Sequence, residues 1–159
     1  MAFHFTLKDD GTRLETVSNQ DQTIAFVDLG YSDDGFSYKI MITLCSVPAM
    51  PPGHREVHFV IIEVDDNFSI RKHTNGLSTK IFLVGSNRND VLEAIALVTA
   101  RLAKLTECEV LSINTNETYL PEKALKKFDY ICAVLCLDGF DGRRVDSFHG
   151  QEQWQLKKN

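Results

Sequence analysis

The sequence predicts an α+β fold, in which about six to nine strands form a single antiparallel-rich β-sheet with two helices packed on it. In the first half, short segments of alternating apolar residues are separated by turn sequences, and segment 36–45 alternates best. In the second half, the longer segments 86–107 and 120–140 repeat their apolar residues at helical spacing. The predicted order is therefore a series of strands, then helix–strand–helix, then a C-terminal hairpin. Helices lying on one sheet would bury both patterns in two layers.

The strands are predicted from apolar alternation and from the turn residues between segments. Segments 3–8 and 13–18 flank an Asp-Gly pair, which is typical of a tight hairpin turn. Segment 56–64 is apolar on both faces, as expected of a central strand. The other predicted strands are 23–29, 36–45, 68–73, 80–84 and 109–114.

The two helices are predicted together with residues that mark their ends. In the first, Asn87 or Asn89 can cap the N-terminus, and Asp90 suits the positive end of the helix dipole. In the second, Pro121 suits the first turn and Gly139 the position just past the end. Residues 130–137 could instead be a strand, but the helical period continues for about four turns, which favours a helix.

The C-terminal tail and the overall composition complete the prediction. The tail reads as a hairpin with its turn near His149 and Gly150. A chain of 159 residues fits one domain, 1–159, and the net charge of −5 disfavours nucleic acid or anionic membrane as a partner. We expect a cytoplasmic protein, because the sequence has no signal-peptide pattern and no apolar run of the roughly 20 residues that a membrane span needs. The four cysteines contain no CxxC pair and are predicted to be free thiols.

A possible metal site lies in the segment PPGHREVHFVIIE, 51–63. On an extended strand His54, Glu56 and His58 point to the same side. The two histidines would lie roughly 13 Å apart, so only Glu56 and His58 can share an ion, with help from neighbouring strands. The candidates for that help are His4, Asp28 and His73. The alternative is a strand with a solvated start and a buried continuation, and the apolar residues that follow favour it.

Basic residues at two places are candidates for binding an anionic ligand. Arg88 lies at the start of the first helix, where backbone N–H groups can bind an anion, although Asp90 opposes this. Arg143 and Arg144 in the C-terminal hairpin, with His149 nearby, could receive a phosphate or carboxylate. Ordinary helix capping and a solvated hairpin are the simpler interpretations of these residues.

Cys132 and Cys136 are four residues apart, so a helix would place both thiols on one face. Two thiols could bind a soft metal if two further ligands were present. The face that they share is apolar, however, and buried free cysteine usually packs as a small hydrophobic residue. We therefore predict that both cysteines belong to the core.

A limited family resemblance covers about 60 residues of the second half. Its strand–helix–strand–helix order, which ends in LDGF, resembles the C-terminal half of GNAT-type acyltransferases. Asn116, Ala124, Phe128 and the pair Gly139-Phe140 follow the residue types of that family in order. The resemblance implies an acyltransferase that uses an acyl-coenzyme A. The counterpart of the family's basic, glycine-rich pyrophosphate loop would be GSNRND, 85–90, which has one glycine.

These observations lead to three hypotheses about function. The first is a non-catalytic module that binds a protein partner or a small ligand and uses no cofactor, because no convincing catalytic set is present. The second is the divergent acyl-coenzyme A-dependent acyltransferase that the resemblance implies. The third is a metal-binding protein that uses Glu56 and His58.

Overall fold

Nine strands and two helices are present in the residues that the computed structural model describes, which are 3–7, 15–74, 87–115 and 117–159. In chain order they are β1 (Phe3–Phe5), β2 (Glu15–Ser18), β3 (Gln22–Ser32), β4 (Ser37–Ser46), β5 (His54–Val64), β6 (Ile70–Thr74), α1 (Asn87–Leu105), β7 (Val110–Asn114), α2 (Glu122–Leu137), β8 (Phe140–Phe148) and β9 (Gln151–Lys158). The predicted Asp-Gly turn, the predicted strand 80–84, residues 85 and 86 and Asn116 lie outside the described residues.

The nine described strands form one sheet with the order β1-β3-β4-β5-β7-β9-β8. β2 also pairs with β3, and β6 also pairs with β5. Each of these pairs is antiparallel except β5 with β7, which is parallel and is connected through α1. The predicted α+β class with an antiparallel-rich sheet is therefore confirmed.

Both helices cover the same face of the sheet. Ile40 of β4 lies opposite Ile61 of β5. Phe59 is two residues before Ile61 on β5, so the three side chains lie on one face of the sheet. Phe128 of α2 contacts Phe59, with ring centroids 5.9 Å apart. α1 packs on β3 and β4, α2 packs on β8 and β9, and the helices pack on each other. The alternation predicted for 36–45 supplies the buried side chains of β4 on this face.

The observed helix ends refine the predicted ones. α1 begins at Asn87, so Asn87 and Asn89 are helical residues and the residue before the helix lies outside the described residues. Pro121 immediately precedes α2 in an extended conformation, with φ −66° and ψ 150°, one position earlier than predicted. Gly139 has φ +96° just beyond the end of α2, as predicted, and residues 130–137 are helical. Neither helix in the described part of the chain is long and apolar enough to cross a membrane.

The C-terminal hairpin has its turn at the predicted residues. His149 and Gly150 both have positive φ, 51° and 80°. Two consecutive residues of this conformation are typical of the tight turns that match the twist of paired strands. The turn brings β9 between β7 and β8, so that its inward-facing Trp154 packs under α2.

Candidate functional site

Among the described residues, a gap in strand pairing lies along one edge of β5. On one edge of β5, His54–Val57 pair with β7, and further along the same edge Ile61–Val64 pair with β6. Within the described residues, 58–60 have no strand partner on this edge. Because the backbone groups of successive strand residues point to opposite edges, at least one N–H and one C=O in this segment face the gap.

A pocket occupies this gap between the sheet and the two helices. Its cavity volume is about 80 Å³. This is smaller than the roughly 300–1,000 Å³ of pockets for drug-sized ligands, so a ligand of this pocket must be small or extend beyond it. The apolar walls here come from β5, β7 and both helices and include Val57, Phe59, Leu92, Ile95, Ile113 and Phe128.

Five polar side chains also line the pocket: His58, Thr74, Asn114, Glu117 and Lys127. Lys127 is half-buried on α2, and its Nζ lies 5.0 Å from the centroid of the Phe128 ring. No carboxylate of the described residues lies within 4.0 Å of this ammonium group. Lys127 is therefore a cation at an apolar pocket without an ion-pair partner in the described structure.

The surroundings of Lys127 disfavour its charged form. Burial lowers the pKa of Lys127, because a desolvated ammonium group is less stable than a hydrated one. The negative charge of Glu117 raises this pKa in part, and the positive charge of Arg88 lowers it. Arg88 lies in the first turn of α1.

The structure brings together the two predicted metal ligands. Glu56 and His58 lie on one side of β5, with His58 Nε2 3.4 Å from Glu56 Oε1. Asn114 of β7 donates its Nδ2–H to the same Glu56 oxygen at 2.9 Å. His54 instead shares a buried hydrogen bond of 2.7 Å with Ser112.

The predicted helpers for a metal ion are elsewhere. His4 contacts Asp33 at 2.6 Å, and Asp28 accepts a hydrogen bond of 2.6 Å from Lys39. His73 is paired with Ile62 in the β5–β6 register. Among the described residues no group of three or more metal-binding side chains that could hold an ion is present. Glu56 and His58 are therefore a close pair, 3.4 Å apart, and His58 lines the pocket.

The predicted anion-binding residues of the hairpin are not assembled into one site. Arg143 and Arg144 are consecutive on β8 and so face opposite sides of the sheet. Arg144 donates to Glu122 at 3.0 Å and to Glu152 at 3.1 Å. These carboxylates raise the pKa of Arg144 and occupy its guanidinium group.

The remaining predicted residues also lie apart from each other. His149 is exposed in the hairpin turn, where its ring contacts Phe148 at a centroid distance of 4.1 Å. Of the four predicted ligand-binding residues, Arg88 is the one whose charge acts on a pocket-lining group. Cys132 is buried, and burial followed by the effect of neighbouring Cys136 raises its pKa to about 12. This environment suits a core side chain, as predicted.

Sequence reasoning missed Lys127, Asn114 and Glu117. A lysine on an amphipathic helix is normally taken as part of the solvated face. One signal was present: Lys127 is four residues before the buried Ile131, so it lies at the border of the apolar face. The pairing of β5 with β7, which brings these groups to one place, joins segments that are distant in sequence and leaves no local pattern.

Comparisons with protein-family models, with curated proteins and with solved structures found no match for this chain.

Proposed function

We propose that this protein is a non-catalytic module that binds a small, mainly apolar ligand in the gap beside residues 58–60 of β5. The observation that carries the proposal is the pocket itself, whose apolar walls come from β5, β7 and both helices. Apolar surface facing such a space gains free energy when a ligand removes it from water, at about 25 cal/mol per Å². The backbone groups of 58–60 that have no strand partner among the described residues give the ligand fixed hydrogen-bonding positions beside the apolar walls.

Titration with a neutral aliphatic alcohol tests the proposal directly. We expect octan-1-ol to bind at one saturable site, measured by isothermal titration calorimetry, with a negative heat-capacity change from apolar burial. Leu120 is half-buried and lines the pocket, so Leu120→Trp should block the site.

A matched substitution on α2 controls for the added aromatic surface. Leu137 is 89% exposed and lies outside the pocket lining, so Leu137→Trp should bind octan-1-ol like the wild type. Absence of saturable binding in the wild type, or equal binding in both variants, would contradict the proposed site. Far-UV circular dichroism checks that both variants remain folded.

A second candidate function is acyl transfer from an acyl-coenzyme A. The order α1–β7–α2 favours it, because these elements are three of the four in the strand–helix–strand–helix layout on which the GNAT resemblance rests. The strand predicted before α1, 80–84, lies outside the described residues. In this case acetyl-coenzyme A should shift the backbone amide signals of residues 87–91 at the start of α1 in an NMR titration. No shift at millimolar ligand would exclude this function.

A further inference from the structure

We infer that the ligand of the pocket is an amphiphilic carboxylate, whose head group pairs with Lys127 while its chain lies against the apolar walls of the pocket. This inference rests on the proposed function, since it names the chemical class of the ligand for the same pocket.

The position of Lys127 is the first reason. Its side chain lines an apolar pocket and is half-buried, and its Nζ lies 5.0 Å from the Phe128 ring centroid. A buried charge is normally paired, because an unpaired one loses hydration without compensation. Arg144 of β8 does have such partners in Glu122 and Glu152. Lys127 has none within 4.0 Å among the described residues.

The sign of the surrounding charge is the second reason. The positive charge of Arg88 acts on Lys127, and burial already disfavours the ammonium form. A carboxylate placed at Lys127 would relieve both effects through a charge-assisted hydrogen bond, which is about twice as strong as a neutral one. A cationic head group would be repelled by both side chains.

The charge of Glu117 distinguishes a carboxylate from a dianion. Glu117 lines the same pocket and is close enough to raise the pKa of Lys127. A phosphate monoester carries nearly two negative charges near neutral pH and would face stronger repulsion from Glu117. A singly charged carboxylate is therefore the anion that fits these residues best. The apolar walls then select an aliphatic or similarly apolar body for the rest of the ligand.

Three ligands with the same chain and different head groups test the inference. Octanoate, octan-1-ol and octylamine are titrated calorimetrically near pH 7 into the wild type and into Lys127→Met, which keeps an unbranched side chain but removes the charge. Lys126→Met is the matched control, because Lys126 is the adjacent residue of α2 and is exposed. Lys127→Arg tests whether a positive charge at the same position is sufficient.

We expect the wild type to bind octanoate at least about tenfold more tightly than octan-1-ol, which is the gain typical of one charged hydrogen bond. Octylamine should bind most weakly of the three. Lys127→Met should lose this preference but keep its affinity for octan-1-ol, whereas Lys126→Met and Lys127→Arg should keep the preference.

If octan-1-ol binds and octanoate binds no better, or if Lys127→Met retains the preference, the inference is overturned while the proposed function stands. If none of the three ligands binds the wild type, both are overturned.

Discussion

The hydrogen bond between Trp154 and Asp129 should couple β9 to α2 directly beneath the pocket. Trp154 is 1% exposed, and its Nε1–H donates to Asp129 Oδ1 at 2.8 Å. Its ring stacks on Phe128, a pocket-lining residue, with centroids 5.0 Å apart. The Trp154→Phe substitution removes this donor and part of the buried ring, so we predict a measurable loss of stability.

The size of the loss follows from these two contributions. A hydrogen bond to a charged group contributes about 1.5–3 kcal/mol, and the lower end applies here because Asp129 is exposed and can be rehydrated. Removal of part of a fully buried aromatic ring adds about 1–2 kcal/mol, less than the loss of a whole ring. We therefore expect Trp154→Phe to lower the free energy of unfolding by about 2–4 kcal/mol. A domain with an ordinary total of about 5–15 kcal/mol would remain folded.

A double-mutant cycle with Asp129→Ala separates the two contributions. Urea unfolding is followed by far-UV circular dichroism, because Trp154 is the sole tryptophan and its substitution removes the fluorescence signal. We expect a coupling energy of about 1 kcal/mol between the two positions. Asp146→Ala, which removes an exposed carboxylate on β8, should change stability by less than about 0.5 kcal/mol. Fully additive effects of Trp154→Phe and Asp129→Ala would refute a stabilising hydrogen bond.

Three other predictions concern the turn, the pocket lysine and the Glu56–His58 pair. Gly150→Ala should lower the free energy of unfolding by more than about 1 kcal/mol in urea unfolding, because φ is +80° and the new Cβ would meet a tyrosine ring. Lys127→Met should stabilise the protein near neutral pH, because folding lowers the pKa of Lys127 and the charged lysine is costly to bury. This gain in stability over the wild type should shrink as the pH rises towards the ordinary lysine pKa of about 10.4, because the cost disappears when Lys127 is deprotonated. A gain that stays constant across this pH range in unfolding experiments would be inconsistent with that cause. Glu56 and His58 supply only two ligands, so tag-free protein should not retain zinc through dialysis. Stoichiometric zinc in the wild type that is absent from His58→Ala would contradict this prediction.

The local elements of this fold could be predicted from sequence because each has a local physical cause. Alternation in 36–45 reflects a strand buried on one face, and the period of 120–140 reflects a helix with one apolar face. The turn at His149 and Gly150 follows from residues that separate two strand-like segments. The start of β5 was predicted at residue 56, two residues late, because His54 and Arg55 belong to the strand through pairing with β7.

The candidate site depends on contacts between distant segments and could be predicted only in part. The proximity of Glu56 and His58 follows from their spacing on one strand. The pocket cannot be predicted from residue spacing, because it forms beyond the pairing of β5 with β7, and this pairing has no local sequence signal. Arg144 was a candidate for binding an anion, but its partners Glu122 and Glu152 lie 22 and 8 residues away and become visible only in the folded chain.

NMR mapping shows whether the gap beside residues 58–60 of β5 binds a ligand. Uniformly ¹⁵N-labelled protein is titrated with octanoate, and amide shifts are assigned along the chain. We expect saturable shifts concentrated at residues 57–61, at Ile113 and Asn114, and at residues 120–128 near Lys127. Shifts confined to the exposed aromatic residues Phe68 and Phe148, or no saturable shifts at all, would contradict this expectation.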